Sequence, residues 1–231
     1  MVGFSVSFDD EVAVLTLSTP LNNRFGVEVM GDLDHAIDEL TGRMARAVLL
    51  CADSPDFSHG GDERPSGKLE AQEINAIFER YMDGFNRLER LPIPVIAAVQ
   101  GLCDGGGVEL VLRRYSIRER ERALQPFGTD DCVRHGARRH LSRRRTGGPP
   151  SRLSVGSYVR RNSRLVFAQH GLVNYIVPDA SLRAQAPSFA KRIAKGPTLA
   201  HGTHKAGQDR NGSSLWLASG WQVSAAWLCR D

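Results

Sequence analysis

Ala97-Ala98-Val99-Gln100-Gly101-Leu102-Cys103-Asp104-Gly105-Gly106-Gly107-Val108-Glu109-Leu110 packs a buried strand, a glycine loop and an acidic first helical turn into fourteen residues. That is the layout of an anion site with an acid beside it. Glycine lets a ligand approach the backbone closely, and the N–H groups at a helix start lack intrahelical acceptors and sit at the positive end of the helix dipole. A negative oxygen is stabilised there. A carboxyl at Glu109, one turn into the same helix, then faces the bound group as proton donor or acceptor. The same residue types also have a purely structural use, since acids are favoured in a first helical turn and Asp104 is placed to cap the helix. A merely flexible turn, however, seldom follows a five-residue buried strand and opens a helix.

Outward from this stretch, the first 112 residues alternate strand and helix. Val12-Ala13-Val14-Leu15-Thr16-Leu17 is a short run of strand formers that stops before Pro20. Met30, Leu33, Ile37 and Leu40 recur at spacings of three and four, the stripe of an amphipathic helix, and Ala47-Val48-Leu49-Leu50-Cys51 reads as a second buried strand. A loop covers 52–67. Ile74, Ile77, Phe78, Tyr81, Phe85 and Leu88 mark a longer helix that Pro92 and Pro94 end, and Val95 to Val99 is the strand leading into the glycine loop. The 231 residues suffice for one large domain.

Beyond Leu112 the periodicity fades. Residues 113–164 hold fifteen of the 26 arginines, no lysine and four acids, a net charge of +11 against −7 for the rest of the chain. The basic balance thus reports one segment and not the whole surface. No sustained apolar period runs through that segment, and no structure is assigned to it. Order returns at Gly171-Leu172-Val173-Asn174-Tyr175-Ile176-Val177-Pro178-Asp179, a strand-like run, followed by a helical stretch over 182–194. Past Lys205 the chain is again irregular.

Several function classes are excluded or set back by composition. No run approaches the roughly 20 apolar residues of a membrane span, and the start Met1-Val2-Gly3-Phe4-Ser5 has no basic segment followed by an apolar one, so a cytoplasmic protein is expected. Cys51, Cys103, Cys132 and Cys229 lie far apart with no C-x-x-C pair, which suggests reduced thiols and neither a disulfide framework nor a zinc site. His135 and His140 lack metal-ligand spacing and acidic partners, so no metal is expected. The arginine clusters suit phosphate, but without a recognised nucleic-acid fold or aromatic interleaving they do not make a nucleic-acid binder.

Gly101 to Leu110 resembles the G-x-x-x-G-G-G-x-E-L segment of the enoyl-CoA hydratase/isomerase (crotonase) family. Asp56-Phe57-Ser58-His59-Gly60-Gly61-Asp62 is similar to that family's F-x-x-G-x-D loop, follows a buried strand as the family's loop does, and precedes the glycine loop by about forty residues. Two motifs in the right order are far more specific than either alone. Gly171-Leu172-Val173-Asn174 with Val177-Pro178-Asp179, and Ala194-Lys195-Gly196-Pro197, resemble further family segments.

The resemblance implies an α/β fold, a crotonase-like spiral of β-β-α units over residues 1–205, with 206–231 an irregular tail. It implies an acyl-CoA thioester as substrate, its oxygen held by the backbone N–H groups of His59 and Gly106, with Gly60, Gly61, Asp62, Gly105 and Gly107 shaping the loops around it. The ring of His59 is then a surface or supporting group, and Asp62 fixes its loop. Glu109 matches a catalytic glutamate of the hydratases, so reversible hydration of a trans-2-enoyl-CoA to a 3-hydroxyacyl-CoA is the expected reaction, with no cofactor, the CoA arriving as part of the substrate. A homotrimer or hexamer is likewise implied.

One departure matters. The family's second glutamate should follow about twenty residues later, where this chain has Gly128-Thr129-Asp130-Asp131. Asp130 or Asp131 would have to substitute with a shorter side chain. Enoyl-CoA isomerisation, which needs a single carboxylate, and non-catalytic acyl-CoA binding by a defective member therefore stay open. The loss of resemblance over about 113–165 and again over 206–231 is what a shifted reading frame would leave.

Overall fold

The computed structural model describes residues 3–62, 69–112, 115–119, 124–125 and 174–203. In chain order the strands are β1 (Gly3–Asp9), β2 (Val12–Ser18), β3 (Ala47–Ala52), β4 (Val95–Val99), β5 (Cys103–Asp104), β6 (Tyr115–Glu119), β7 (Leu124–Gln125) and β8 (Tyr175–Val177). The helices are α1 (Pro20–Asn23), α2 (Val27–Gly42), α3 (Ala71–Arg90), α4 (Gly106–Leu112) and α5 (Leu182–Ala194). Six strands form one sheet in the order β1-β2-β3-β4-β6-β8, while β5 and β7 pair separately. Among the described strands only the β1–β2 hairpin is antiparallel; β2, β3, β4, β6 and β8 run parallel.

The uninterrupted apolar runs of β3 and β4 follow from coverage on both faces. Because side chains alternate across a strand, Val48, Leu50, Val95, Ala97 and Val99 join one core with Leu33, Ile37 and Leu40 of α2 and Phe85 and Leu88 of α3. Ala47, Leu49, Ile96 and Ala98 point the other way, onto Leu182, Ala186, Ala190 and Ala194 of α5. The four buried residues of α5 recur every fourth position, and three are alanine, so the helix seats closely on the sheet. Arg46 closes its far end: Nε donates to the Ala194 carbonyl at 2.7 Å and a terminal nitrogen to that of Gly196 at 2.9 Å. These contacts satisfy the orphan acceptors at a helix C-terminus and place a cation where the dipole is negative. On the opposite layer Arg80 and Arg87 of α3 pair with Asp34 of α2, and Arg87 also reaches Asp38 at 2.6 Å.

The expected strands over 12–17, 47–51 and 95–99 and the helices through 30–40, 74–88 and 182–194 are all present. Several elements differ from the sequence expectation, the short α1 and the two-residue β7 among them. β1 was not anticipated; it pairs along its length with β2, from Gly3 opposite Ser18 to Asp9 opposite Val12. The glycine loop contains the two-residue strand β5 before α4 begins. Residues 113–164, to which no structure was assigned, contribute β6, which lies between β4 and β8 in the main sheet. Residues 204–231, with the expected tail, lie outside the described residues.

Replacing Ala190 by Leu forces a larger side chain between α5 and the sheet and should lower stability by about 1–3 kcal/mol. The same change at exposed Ala184 should stay within about 0.5 kcal/mol. Urea denaturation followed by circular dichroism reads both.

Candidate active site

The loops that leave β3 and β4 at the same end of the sheet are laced together through their backbones. The Phe57 N–H is shared between the carbonyls of Gln100 and Leu102, both at 2.9 Å; Ser58 N–H donates to Leu102 at 3.2 Å, and Asp104 N–H returns to Ser58 at 2.8 Å. Gln100 adds its side-chain amide, which donates to the carbonyls of Ala52 and Ser54 at 2.7 and 2.8 Å. Residues 57–58 thus form a strand-like pairing with 102–104, including the parallel bridge Ser58–Cys103.

That pairing sets the two glycine segments against each other. Gly60 adopts φ +76°, and a Cβ there would stand 3.1 Å from the Asp104 carbonyl oxygen, 3.3 Å from Gly105 Cα and 3.4 Å from the Gly106 nitrogen. A Cβ on Gly107 would come within 2.8 Å of Ser58 Cβ. Glycine is therefore required by close approach and not by loop flexibility. The Gly106 N–H opens α4 and belongs to the set without an intrahelical acceptor. Asp104 accepts the Gly105 N–H at 2.8 Å, fixing the start of the helix with a negative charge. Glu109 lies in the first turn, half-buried between fully buried Val108 and Leu110.

A third segment, the short α1 and the residues after it, holds the first loop from below. Asn22 and Asn23 both have positive φ, 60° and 57°, a conformation asparagine tolerates better than most residues. Buried Asn23 accepts the Thr19 N–H at 2.8 Å and donates to the carbonyls of Phe57 and Asp56 at 3.2 and 3.4 Å. Ser58 Oγ donates to the Asn23 carbonyl at 2.7 Å and receives the Gly60 N–H at 3.1 Å. One guanidinium nitrogen of Arg24 donates to the carbonyls of His59 and Gly61 at 3.2 and 3.1 Å. Phe25 exchanges backbone hydrogen bonds with Gly60 and Asp62 at 2.8 Å, and its carbonyl also takes the hydroxyl of Tyr81 at 2.7 Å. Burial, with the Asp62 carboxylate as a smaller contribution, pushes the Tyr81 phenol up to about 12, so it stays a donor at every ordinary pH.

The structure brings the loops of His59, Gly60, Gly61 and Asp62 against Gly105, Gly106 and Gly107, with Glu109 one turn beyond. His59 carries an unforeseen contact: its N–H donates to the Asn22 carbonyl oxygen at 3.1 Å. Its ring pairs with Asp56, Nε2 to Oδ2 at 2.9 Å. Sequence reasoning missed Asn23, Arg24, Ser58, Tyr81 and Asp56 as supports of the loop; the one local signal is the tandem Asn22-Asn23, a pair that tolerates the left-handed conformation. Asp130, Asp131, His135 and His140 lie outside the described residues. Among the described residues no cluster of His, Cys, Asp and Glu is arranged to hold a metal ion, and no helix is long and apolar enough to cross a membrane.

A parallel sheet whose strand ends carry a glycine loop opening a helix, with a carboxylate one turn in, defines an α/β protein of crotonase architecture. Residues 7–114 match the enoyl-CoA hydratase/isomerase family. A probable enoyl-CoA hydratase of Bacillus subtilis (strain 168) is 31% identical over 114 residues, 48% of this chain. The matched stretch spans 44% of that relative, less than half its length. A probable enoyl-CoA hydratase of Mycobacterium avium (strain 104) is 27% identical over 215 residues, 88% of this chain and 80% of the relative. The crystal structure of an enoyl-CoA hydratase/carnithine racemase from Magnetospirillum magneticum superposes with a TM-score of 0.80 at 25% identity, covering 99% of this chain and 85% of that one. Over residues 7–114 the chain is similar to the enoyl-CoA hydratase/isomerase family, and its fold is that of the solved enoyl-CoA hydratase structures.

Replacing Gly60 by Ala combines a positive φ with a Cβ pressed on the neighbouring backbone. A loss of about 1–3 kcal/mol is expected from the conformation alone, read as a lowered midpoint in urea.

Proposed function

We propose that this protein is an enoyl-CoA hydratase, adding water reversibly to a trans-2-enoyl-CoA to give a 3-hydroxyacyl-CoA. The observation that carries this reading is the meeting of residues 59–61 with 104–106 one turn before Glu109, in a chain similar to this family over residues 7–114. The thioester oxygen is held by the N–H groups of His59 and Gly106, and negative charge grows on it as water adds to the double bond. Donors fixed in place before the reaction stabilise that charge, each worth about 3 kcal/mol. Glu109 moves the proton. No resident cofactor is needed, since the CoA enters with the substrate, and a cytoplasmic setting fits this chemistry.

The hydrogen bond from His59 to Asn22 shapes the binding step. The substrate oxygen takes the place of the Asn22 carbonyl, so one acceptor is exchanged for another and the donor is never left bare. That exchange favours a developing oxyanion over a neutral carbonyl, because a charged acceptor makes the stronger bond. The second reading, enoyl-CoA isomerisation, is favoured by Gly128-Thr129-Asp130-Asp131 standing where the hydratase pattern has its second glutamate. A single carboxylate at Glu109 suffices for a proton shift along the acyl chain.

Purified protein mixed with trans-2-enoyl-CoA esters of several chain lengths should show loss of enoyl absorbance. Glu109→Gln should lower kcat by about 10²- to 10⁴-fold while CoA-ester binding, followed by calorimetry, persists. Double-bond migration without water addition identifies the isomerase; binding without conversion by a folded protein identifies a non-catalytic member.

A further inference from the structure

Both carboxylate oxygens of Asp56 are used across the two loops. Oδ1 accepts the backbone N–H of Leu102 at 2.8 Å, in the glycine loop; Oδ2 meets Nε2 of His59 at 2.9 Å. The pair is largely sheltered, with 23% of the Asp56 side chain and 22% of that of His59 exposed. Gly101 makes room for it. That residue sits at φ +55°, and a Cβ there would fall 2.4 Å from Asp56 Oδ1 and 2.2 Å from the Pro55 carbonyl oxygen.

The consequence lies in what His59 does twice. Its backbone supplies one of the two N–H groups assigned to the substrate oxygen, and its ring is anchored to a carboxylate that also grips the loop carrying the other. We propose that Asp56 is a positioning residue, its two oxygens fixing the His59 N–H relative to the Gly106 N–H through the His59 ring and the Leu102 amide. The proposal rests on the oxyanion role assigned above. The backbone lacing of 57–58 with 102–104 fixes the strands, whereas the Asp56–His59 bridge restrains the residue just beyond them, where the loop turns toward Gly60. A displacement of about 1 Å in such a donor is enough to lower turnover by about a hundredfold.

The test uses the full-length protein with Asp56→Ala, Asp56→Asn, His59→Ala and the Asp56→Ala/His59→Ala double variant. His59→Ala keeps the backbone N–H and removes only the anchor. Turnover of a trans-2-enoyl-CoA and amide hydrogen exchange of peptides spanning 56–62 and 100–107 are measured on each. Asp56→Ala should lower kcat about 10- to 100-fold with KM changed less than about twofold, and exchange in both peptides should speed up. Asp56→Asn keeps an oxygen for Leu102 and a polar group for the ring, and should restore most of the turnover and the protection. The double variant should be no worse than the worse single one, because both act through one bridge. Unchanged kcat in Asp56→Ala, or losses that multiply in the double variant, overturns the proposal. If the wild type itself converts no enoyl-CoA, the functional reading fails and exchange decides alone: faster exchange in Asp56→Ala and in His59→Ala sustains the bridge, and unchanged exchange overturns it.

Discussion

The bifurcated hydrogen bond from the Phe57 N–H to the carbonyls of Gln100 and Leu102 is the constraint on which the rest of the site depends. It joins two loops that leave neighbouring parallel strands, and in a parallel sheet such loops emerge at the same end. Without a link they would be two independent excursions. With it, residues 58 and 103 come into register, the glycines fall opposite one another, and the start of α4 is delivered beside the turn at 59–61. Close backbone contact then excludes side chains at Gly60 and Gly107, and the start of α4, with Glu109 in its first turn, lies against the turn at 59–61.

Legibility in the sequence followed the range of the interactions involved. The strands β3 and β4 and the helices α2, α3 and α5 were readable because each is dictated by its own periodicity: apolar at every position where both sheet faces are covered, apolar every third or fourth residue where one helix face is buried. β1 was readable in principle, since Phe4, Val6 and Phe8 alternate with polar residues, but half-buried Val6 and Phe8 make it a weak apolar run. β6 was obscured because its five residues stand among arginines, and its place in the sheet comes from pairing with β4 and β8 and not from its own composition. β5, of two residues, has no sequence signature at all.

The site divides in the same way. The glycine loop and Glu109 were legible because glycine patterns and acids at helix starts have local physical causes, and the second loop through its resemblance to a family motif. Asn23, Arg24, Ser58 and Tyr81 were not, because their function is to satisfy carbonyls supplied by distant segments; the hydroxyl of Tyr81 serves a carbonyl 56 residues away. A polar residue whose partner is a backbone atom elsewhere gives no sign of it in one dimension. The His59 N–H was foreseen as a donor, but its partner in the free protein, Asn22, was not, since that contact needs two consecutive left-handed residues to aim the carbonyl.

The pairing of Arg46 with Ala194 and Gly196 spans 148 and 150 residues of chain. Among the described residues, the face of the sheet that carries Leu49 and Ile96 is therefore covered by a helix synthesised well after strands β1 to β4. Until α5 is made, α2 and α3 cover one side of the sheet while the face of Leu49 and Ile96 still lacks this helix. Long-range closure of this kind slows folding, and exposed apolar strands in a waiting intermediate favour self-association. The seating of the alanine-lined helix thus bears on how long the growing chain must be kept from its neighbours.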